Sequence, residues 1–472
     1  MTAEVDVELG VAEGTLPAGL RGVLYRNGPG TNASFGHPYA HPFDGDGHVV
    51  RFAFDGARVR YSNRFVETRE RAQEAMAGRP LFRSFGTNLP GGIGANIGRL
   101  RFKNAANTSV VFHGQKLLAL WEGGLPHRLD PATLVTLARD DLGGRLLNRV
   151  SPLHRLLAPE LPFSAHPKVD PTTGELFNFG ALLGPRPALV LYRADRAGRF
   201  DPPVLVPLER LVFVHDFILT PRYRVFFLVP VAFRVARALS GFSSPADAIA
   251  SVDGEPTQIL LVPRGPGAPV RVLADPCFIF HFVSGHDTAD GRVEVIGMRM
   301  PSFPSTRLTR ALFEGRAVDF PSALPTRYVI DPRLQTVREE RLSEAAAELP
   351  TIDPSLVGQP VRSFWSIAGT AGAADPFLKH VQRFDLEEGA APVVRDFSPD
   401  LPGEPLFVPS EDGGLVLVLV YRTHAHRSDL YVLRAEDLAL VCRLELPHHV
   451  PPGFHGTWVA AGEAGLEVTA SS

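Results

Sequence analysis

Residues 210–231 read RLVFVHDFILTPRYRVFFLVPV. Two short apolar runs, rich in Val, Phe, Ile and Leu, flank a turn at Pro221-Arg222. Runs of this length and composition, bounded by turn residues, read as β-strands. The pattern extends in both directions. Upstream lie TSVVFHG (108–114), KLLALWEGG (116–124), GELFNFGALLG (174–184) and ALVLYRAD (188–195). Downstream lie TQILLVPR (257–264), PVRVLAD (269–275), CFIFHFVSGHD (277–287) and RVEVIGMRM (292–300). The last third continues with TRYVIDP, RSFWSIAG, HVQRFDL, LVLVLVYR, DLYVLRA and VCRLELP. Strands at regular intervals, without alternating helices, predict one closed all-β body such as a propeller. No linker divides the chain, so residues 1–472 are expected to form a single domain.

The 472 residues are long enough to bury a large core. The 44 glycines and 43 prolines are spread along the chain as turn punctuation. A net charge of -3 gives no basic surface for nucleic acid. Cys277 and Cys442 are too few for a disulfide scaffold and fit a reducing compartment. The start, MTAEVDVELG, lacks the charged and apolar regions of a signal peptide. No apolar run reaches the ~18–20 residues of a membrane helix. A cytoplasmic location is expected.

Away from the strands, residues 1–20 read as an arm, and Asp44-Gly45-Asp46-Gly47 and Asp55-Gly56 as turns. Short helices are expected within 67–80, near 150–159 and within 302–325. GTNLPGGIGANIGR (86–99) reads as a loop rather than a dinucleotide fingerprint. GLEVTAS at the end reads as a strand. Residues 231–250 break the strand rhythm and read as a helix of mixed apolar and basic character. It is either an ordinary surface helix or one that rests on a membrane.

Four of the 16 histidines stand in apolar or aromatic surroundings: His166 in FSAHPKV, His215 in FVHDFIL, His281 in FIFHFVS and His455 in PGFHGTWV. Most others lie in turn-like or polar settings, such as His37, His41, His424 and His426. One histidine on an apolar strand is usually a packed core residue. Four such burials on separate strands suggest a shared partner, because each unpaired ring is costly to bury. Imidazole suits iron, copper, zinc and nickel. Such a site needs carboxylates to accept the outward N–H groups. Glu122, Glu348 and Glu404 stand in unusually apolar contexts, although each also reads as a turn glutamate facing water.

These stretches, with LYRNGPG (24–30), HPFDGDGHVVRF (41–52), ELPTIDPSLVGQPVRSFW (348–365) and EPLFVPSEDGGLVL (404–417), resemble the carotenoid cleavage oxygenases over nearly the whole chain. The resemblance implies a seven-bladed β-propeller with loops and short helices capping one face. It implies one Fe(II) on the axis, bound by His166, His215, His281 and His455, and dioxygen as co-substrate. Glu122, Glu348 and Glu404 match the glutamates that hold three of those histidines, with the pairing left open. Thr108 matches a residue whose methyl group crowds an open iron position. Ser284, Gly285 and Asp287 depart from the family pattern beyond the ligand.

The implied reaction is scission of a conjugated C=C bond into two aldehydes, which needs no general acid or base. In lignostilbene-cleaving relatives the residue before the first glutamate is typically a lysine that contacts the phenol. Here it is Trp121, which suits an apolar polyene. The expected substrate is therefore a carotenoid or apocarotenoid, with retinal as a candidate product. Phe43, Phe85, Phe213 and Phe280 match tunnel positions, and core packing explains each about as well. The 231–250 segment falls where relatives touch the membrane. The alternatives are a stilbene-cleaving dioxygenase, an isomerohydrolase on the same fold, and a non-catalytic propeller that only binds a ligand.

Overall fold

The computed structural model describes residues 3–463 apart from 100, 151–154, 156–158, 183–185, 317, 371–376, 388 and 411–412. The helix expected near 150–159 falls largely, and the strand at GLEVTAS wholly, outside the described residues.

Seven antiparallel sheets form the blades of a β-propeller. Blade 1 joins Arg21–Pro29, Gly47–Asp55 and Val59–Phe65 to the late strand Gly456–Ala460. Blades 2, 3 and 4 begin at Ser109–His113, Lys168–Val169 and Ile218–Leu219. Blades 5 and 6 begin at Phe278–Asp287 and Ala347–Thr351, and blade 7 at Leu401–Pro402 and Leu406–Val408.

The ring is closed from both ends of the chain. Gly456–Ala460 pairs with Arg21–Pro29. The expected N-terminal arm is in fact two strands. Asp6–Leu9 pairs with Val59–Phe65 of blade 1, and Val11–Gly14 with Leu440–Glu445 of blade 7. Its backbone groups thus complete two sheet edges, which a free arm would leave unpaired.

Blades pack face to face through apolar layers. Leu24, Phe52 and Tyr61 of blade 1 meet Leu417, Leu430 and Leu444 of blade 7. Phe177 and Leu191 of blade 3 meet Phe226 and Leu260 of blade 4. Burial on both faces explains why LVLVLVYR is a continuous apolar run rather than an alternation. The Asp55-Gly56 turn is closed by Asp55 Oδ1, which accepts the Ala57 and Arg58 N–H groups.

Short helices and loops supply the cap. Arg69–Ala77 begins at Thr68, whose side chain accepts the Arg71 N–H, and ends at left-handed Gly78. Thr306–Phe313 is a helix, and Gly92–Asn96 makes a short helix inside the expected loop. Buried Arg83 stitches the cap, donating to the carbonyls of Arg99 at 3.0 Å, Ala238 at 2.7 Å and Ser243 at 2.8 Å.

The expected helix at 231–250 is corrected. Val231–Phe233 pairs with Ile249–Ser251, and only Val235–Leu239 between them is α-helical. Backbone pairing of the two ends overrides the helix-like spacing of the apolar residues. Among the described residues, no helix is long and apolar enough to cross a membrane.

Candidate metal centre

The four histidines from distant motifs meet on the propeller axis. One ligand atom from each of His166, His215, His281 and His455 lies within 4.8 Å of the other three. His281 lies on the first strand of blade 5, where register shifts between Ile279 and Ser284 redirect the side chains. His455 directly precedes the strand Gly456–Ala460, while His166 and His215 lie in the loops leading into Lys168–Val169 and Ile218–Leu219. The glutamates come from the remaining blades: Glu122 follows a strand of blade 2, Glu348 lies on blade 6, and Glu404 lies between two short strands of blade 7. Each blade therefore contributes one residue to the cluster.

The pairing of carboxylate with imidazole is defined by distance. His281 Nδ1 lies 2.6 Å from Glu348 Oε2, and His455 Nδ1 lies 2.8 Å from Glu404 Oε1. His215 Nδ1 approaches Glu122 Oε1 at 3.4 Å. His166 has no carboxylate in hydrogen-bond range among the described residues; Glu122 is 3.9 Å from its Nε2.

With Nδ1–H held by a carboxylate, each Nε2 presents a lone pair inward. His166 Nε2 and His215 Nε2 are 2.9 Å apart, and buried His281 Nε2 has no hydrogen-bond partner among the described residues. Converging lone pairs repel unless a cation lies among them, so these residues fit a divalent metal. The all-nitrogen donor set suits a transition metal rather than calcium or magnesium.

Electrostatics favour the neutral imidazole at three of the four histidines. Burial, and then the neighbouring imidazoles, hold His166 well below its ordinary range. His215 is held low by burial and then by His281 and His455. His455 is also lowered, because burial outweighs the pull of Glu404. His281 moves the other way, because Glu348 more than offsets burial. Burial pushes Glu122 up to about 8. Its open side faces an internal cavity rather than bulk water.

That cavity has a volume of about 530 Å³ and reaches His215, His281 and His455. Thr108, Trp121, Phe43, Phe85, Phe213 and Phe280 all line it. Phe102, Phe454, Phe320 and Met300 add to the same walls. They went unselected because nothing in their local sequence separates a cavity aromatic from a core one.

Two charged residues at the site were also missed. Arg26 Nη1 donates to Glu404 Oε2 at 2.7 Å, and both side chains are buried. Asp216 accepts the N–H groups of Phe217 at 2.8 Å and Phe282 at 3.0 Å, and pairs with Lys168 at 2.8 Å. A charge inside LYRNGPG and another inside FVHDFIL were the available signals.

Comparison with known proteins agrees with this geometry. The family model for retinal pigment epithelial membrane protein matches residues 1–460. The chain is similar to apocarotenoid-15,15'-oxygenase of Synechocystis sp., at 34% identity over 94% of this chain and 92% of that protein. It is also similar to resveratrol cleavage oxygenase 1 of Aspergillus fumigatus, at 27% identity over 98% of this chain and 94% of that one. The crystal structure of cobalt-substituted Synechocystis apocarotenoid oxygenase matches with a TM-score of 0.89 and 33% identity, covering 98% of this chain and 97% of that one. This chain belongs to the retinal pigment epithelial membrane protein family, the carotenoid cleavage oxygenases.

Proposed function

We propose that this chain is a non-haem Fe(II) dioxygenase that cleaves a conjugated C=C bond of a carotenoid or apocarotenoid into two aldehydes, with retinal a candidate product. The observation that carries this reading is the junction of the four-histidine cluster with an aromatic-walled cavity of about 530 Å³. A pocket of that size and lining suits an apolar ligand.

In this reading His166, His215, His281 and His455 hold the iron as neutral imidazoles. Glu122, Glu348 and Glu404 fix the tautomer and aim of three of them. Bound Fe(II) supplies the electrons that allow triplet dioxygen to react with a closed-shell alkene. Phe43, Phe85, Phe213, Phe280 and Trp121 orient the polyene and exclude water. Thr108, on the same wall, restricts the space beside the metal.

The peripheral membrane contact belongs to the cap. Phe242 is 75% exposed and Ile97 is 60% exposed. The two segments adjoin, since the Gly98 N–H donates to the Leu239 carbonyl at 2.9 Å. Pro245 and Ile249 of the same segment line the cavity, so a polyene drawn from a bilayer would pass directly inward.

A stilbene substrate is the second reading, favoured by the resveratrol-cleaving relative. Trp121 on the cavity wall weighs against it, because an indole offers a phenol no cation. Aerobic incubation of the iron-loaded protein with an apocarotenal and with a hydroxystilbene tests both. Two aldehydes from the apocarotenal alone support the proposal; cleavage of the stilbene alone overturns it. His215→Ala should lose iron and activity together.

A further inference from the structure

The four histidines separate two cavities of different character. His215 lines only the apolar one, and His166 lines only a second cavity of about 980 Å³. His281 and His455 line both. The second cavity is lined by Lys168 and by buried Asp216 and Glu404. Its lining also includes exposed Gln115, Arg196, Ser355 and Glu463, so it opens to water. Strands of several blades contribute to it, including Ser109–His113 and Gly456–Ala460, so it runs along the propeller axis.

A divalent cation and a polyene cannot share a path cheaply. A hydrated ion loses several kcal/mol or more on entering an apolar, aromatic-walled space. In the axial cavity it keeps its water and meets carbonyls and carboxylates. We infer that the axial polar cavity is the path by which the divalent cation reaches the histidines, and that Lys168 is the charge that limits its rate, leaving the apolar cavity to the substrate. Lys168 Nζ is partly exposed and lies 2.8 Å from Asp216, whose own carboxylate is buried. Glu404 in the same cavity is already paired with Arg26, so the Lys168 ammonium cancels the remaining buried carboxylate of this lining that would otherwise draw a cation inward. This inference rests on the reading of the four histidines as a metal site.

The test is the rate of Co(II) uptake by metal-free full-length protein, followed by the visible absorption of the imidazole-bound ion. Lys168→Gln should speed uptake by roughly tenfold at low ionic strength, an effect that shrinks as salt screens it. Thr457→Trp, which fills part of the axial cavity, should slow uptake. Wild-type protein preloaded with an apocarotenal under nitrogen should take up cobalt at the unloaded rate. Uptake blocked by the apocarotenal but unchanged in both variants would overturn the inference. Failure of every form to bind cobalt at equilibrium would instead overturn the metal site, and the loading path with it.

Discussion

Glu348 and His281 meet at 2.6 Å, the shortest of the three carboxylate–imidazole contacts around the cluster. The corresponding distance from Glu122 to His215 is 3.4 Å. A carboxylate that fixes a ligand's orientation typically contributes 10–100-fold to metal affinity. Glu348→Gln should therefore lose affinity for iron or cobalt within about that range, and Glu122→Gln should lose less. Competition against a chelator measures both, and a larger loss for Glu122→Gln would contradict the ranking.

Trp121 packs its ring over Gly123 and Gly124, where an added Cβ would sit 3.0 Å and 3.3 Å from the indole. That close fit holds the ring against the cavity wall. Trp121→Lys would place an unpaired ammonium in an apolar space, which is costly for a polyene to displace or cover. The kcat/KM for an apocarotenal should fall by roughly tenfold or more, equivalent to about 1.4 kcal/mol or more. Unchanged turnover would show that the wall at this position does not select the substrate.

The clustering of the four histidines was legible because each stands in a short motif whose apolar context makes a lone imidazole expensive. Which glutamate serves which histidine was not, because pairing depends on which blades adjoin. Glu348 of blade 6 serves His281 of blade 5, and Glu404 of blade 7 serves His455 of blade 1. Blade adjacency follows ring closure, which joins strands more than 400 residues apart, and no local pattern carries it. The 231–250 segment failed for a related reason. Its apolar spacing looks helical, but pairing of Val231–Phe233 with Ile249–Ser251 is a contact between its two ends.

Acid should destabilise the fold through three buried histidines outside the centre. Burial lowers His41 and His48 to about 3 and His127 to about 4, against an ordinary value of 6.5. His41 Nδ1 accepts the Phe43 N–H, and His48 Nε2 accepts from Asn63. Neither ring nitrogen of His127 has a hydrogen-bond partner among the described residues. Because the folded values are depressed, the unfolded chain binds more protons between about 4 and 6.5. Stability is therefore fully present above 6.5 and falls as pH drops through that window, by about 1.4 kcal/mol per pH unit for each histidine. Urea unfolding at pH 7.5 and pH 5 measures the loss. His127→Phe should remove one histidine's share of the slope; an unaltered slope would contradict its assignment.

Gly28, the first of the two glycines in LYRNGPG, lies against the loop that carries His455. The Asn27 N–H donates to the His455 carbonyl at 2.9 Å, and the Phe454 N–H donates to the Asn27 carbonyl at 2.9 Å. These bonds clamp the loop that carries His455 against the strand Arg21–Pro29. The clamp closes only because Gly28 has no side chain, since a Cβ there would lie 2.6 Å from the Gly453 Cα. Backbone cannot swing aside as a flexible side chain can, so Gly28→Ala must push the loop outward. Overpacking of this kind costs about 1–3 kcal/mol of stability. The displaced loop also carries His455 away from Glu404, whose grip is 2.8 Å, and away from the other three histidines. Gly28→Ala should therefore fold with a lowered melting temperature and bind cobalt at least tenfold more weakly. Gly10→Ala, where an added Cβ meets nothing within 4 Å, should match the wild type in both measurements. Full cobalt affinity in Gly28→Ala would mean that His455 holds its place without the clamp.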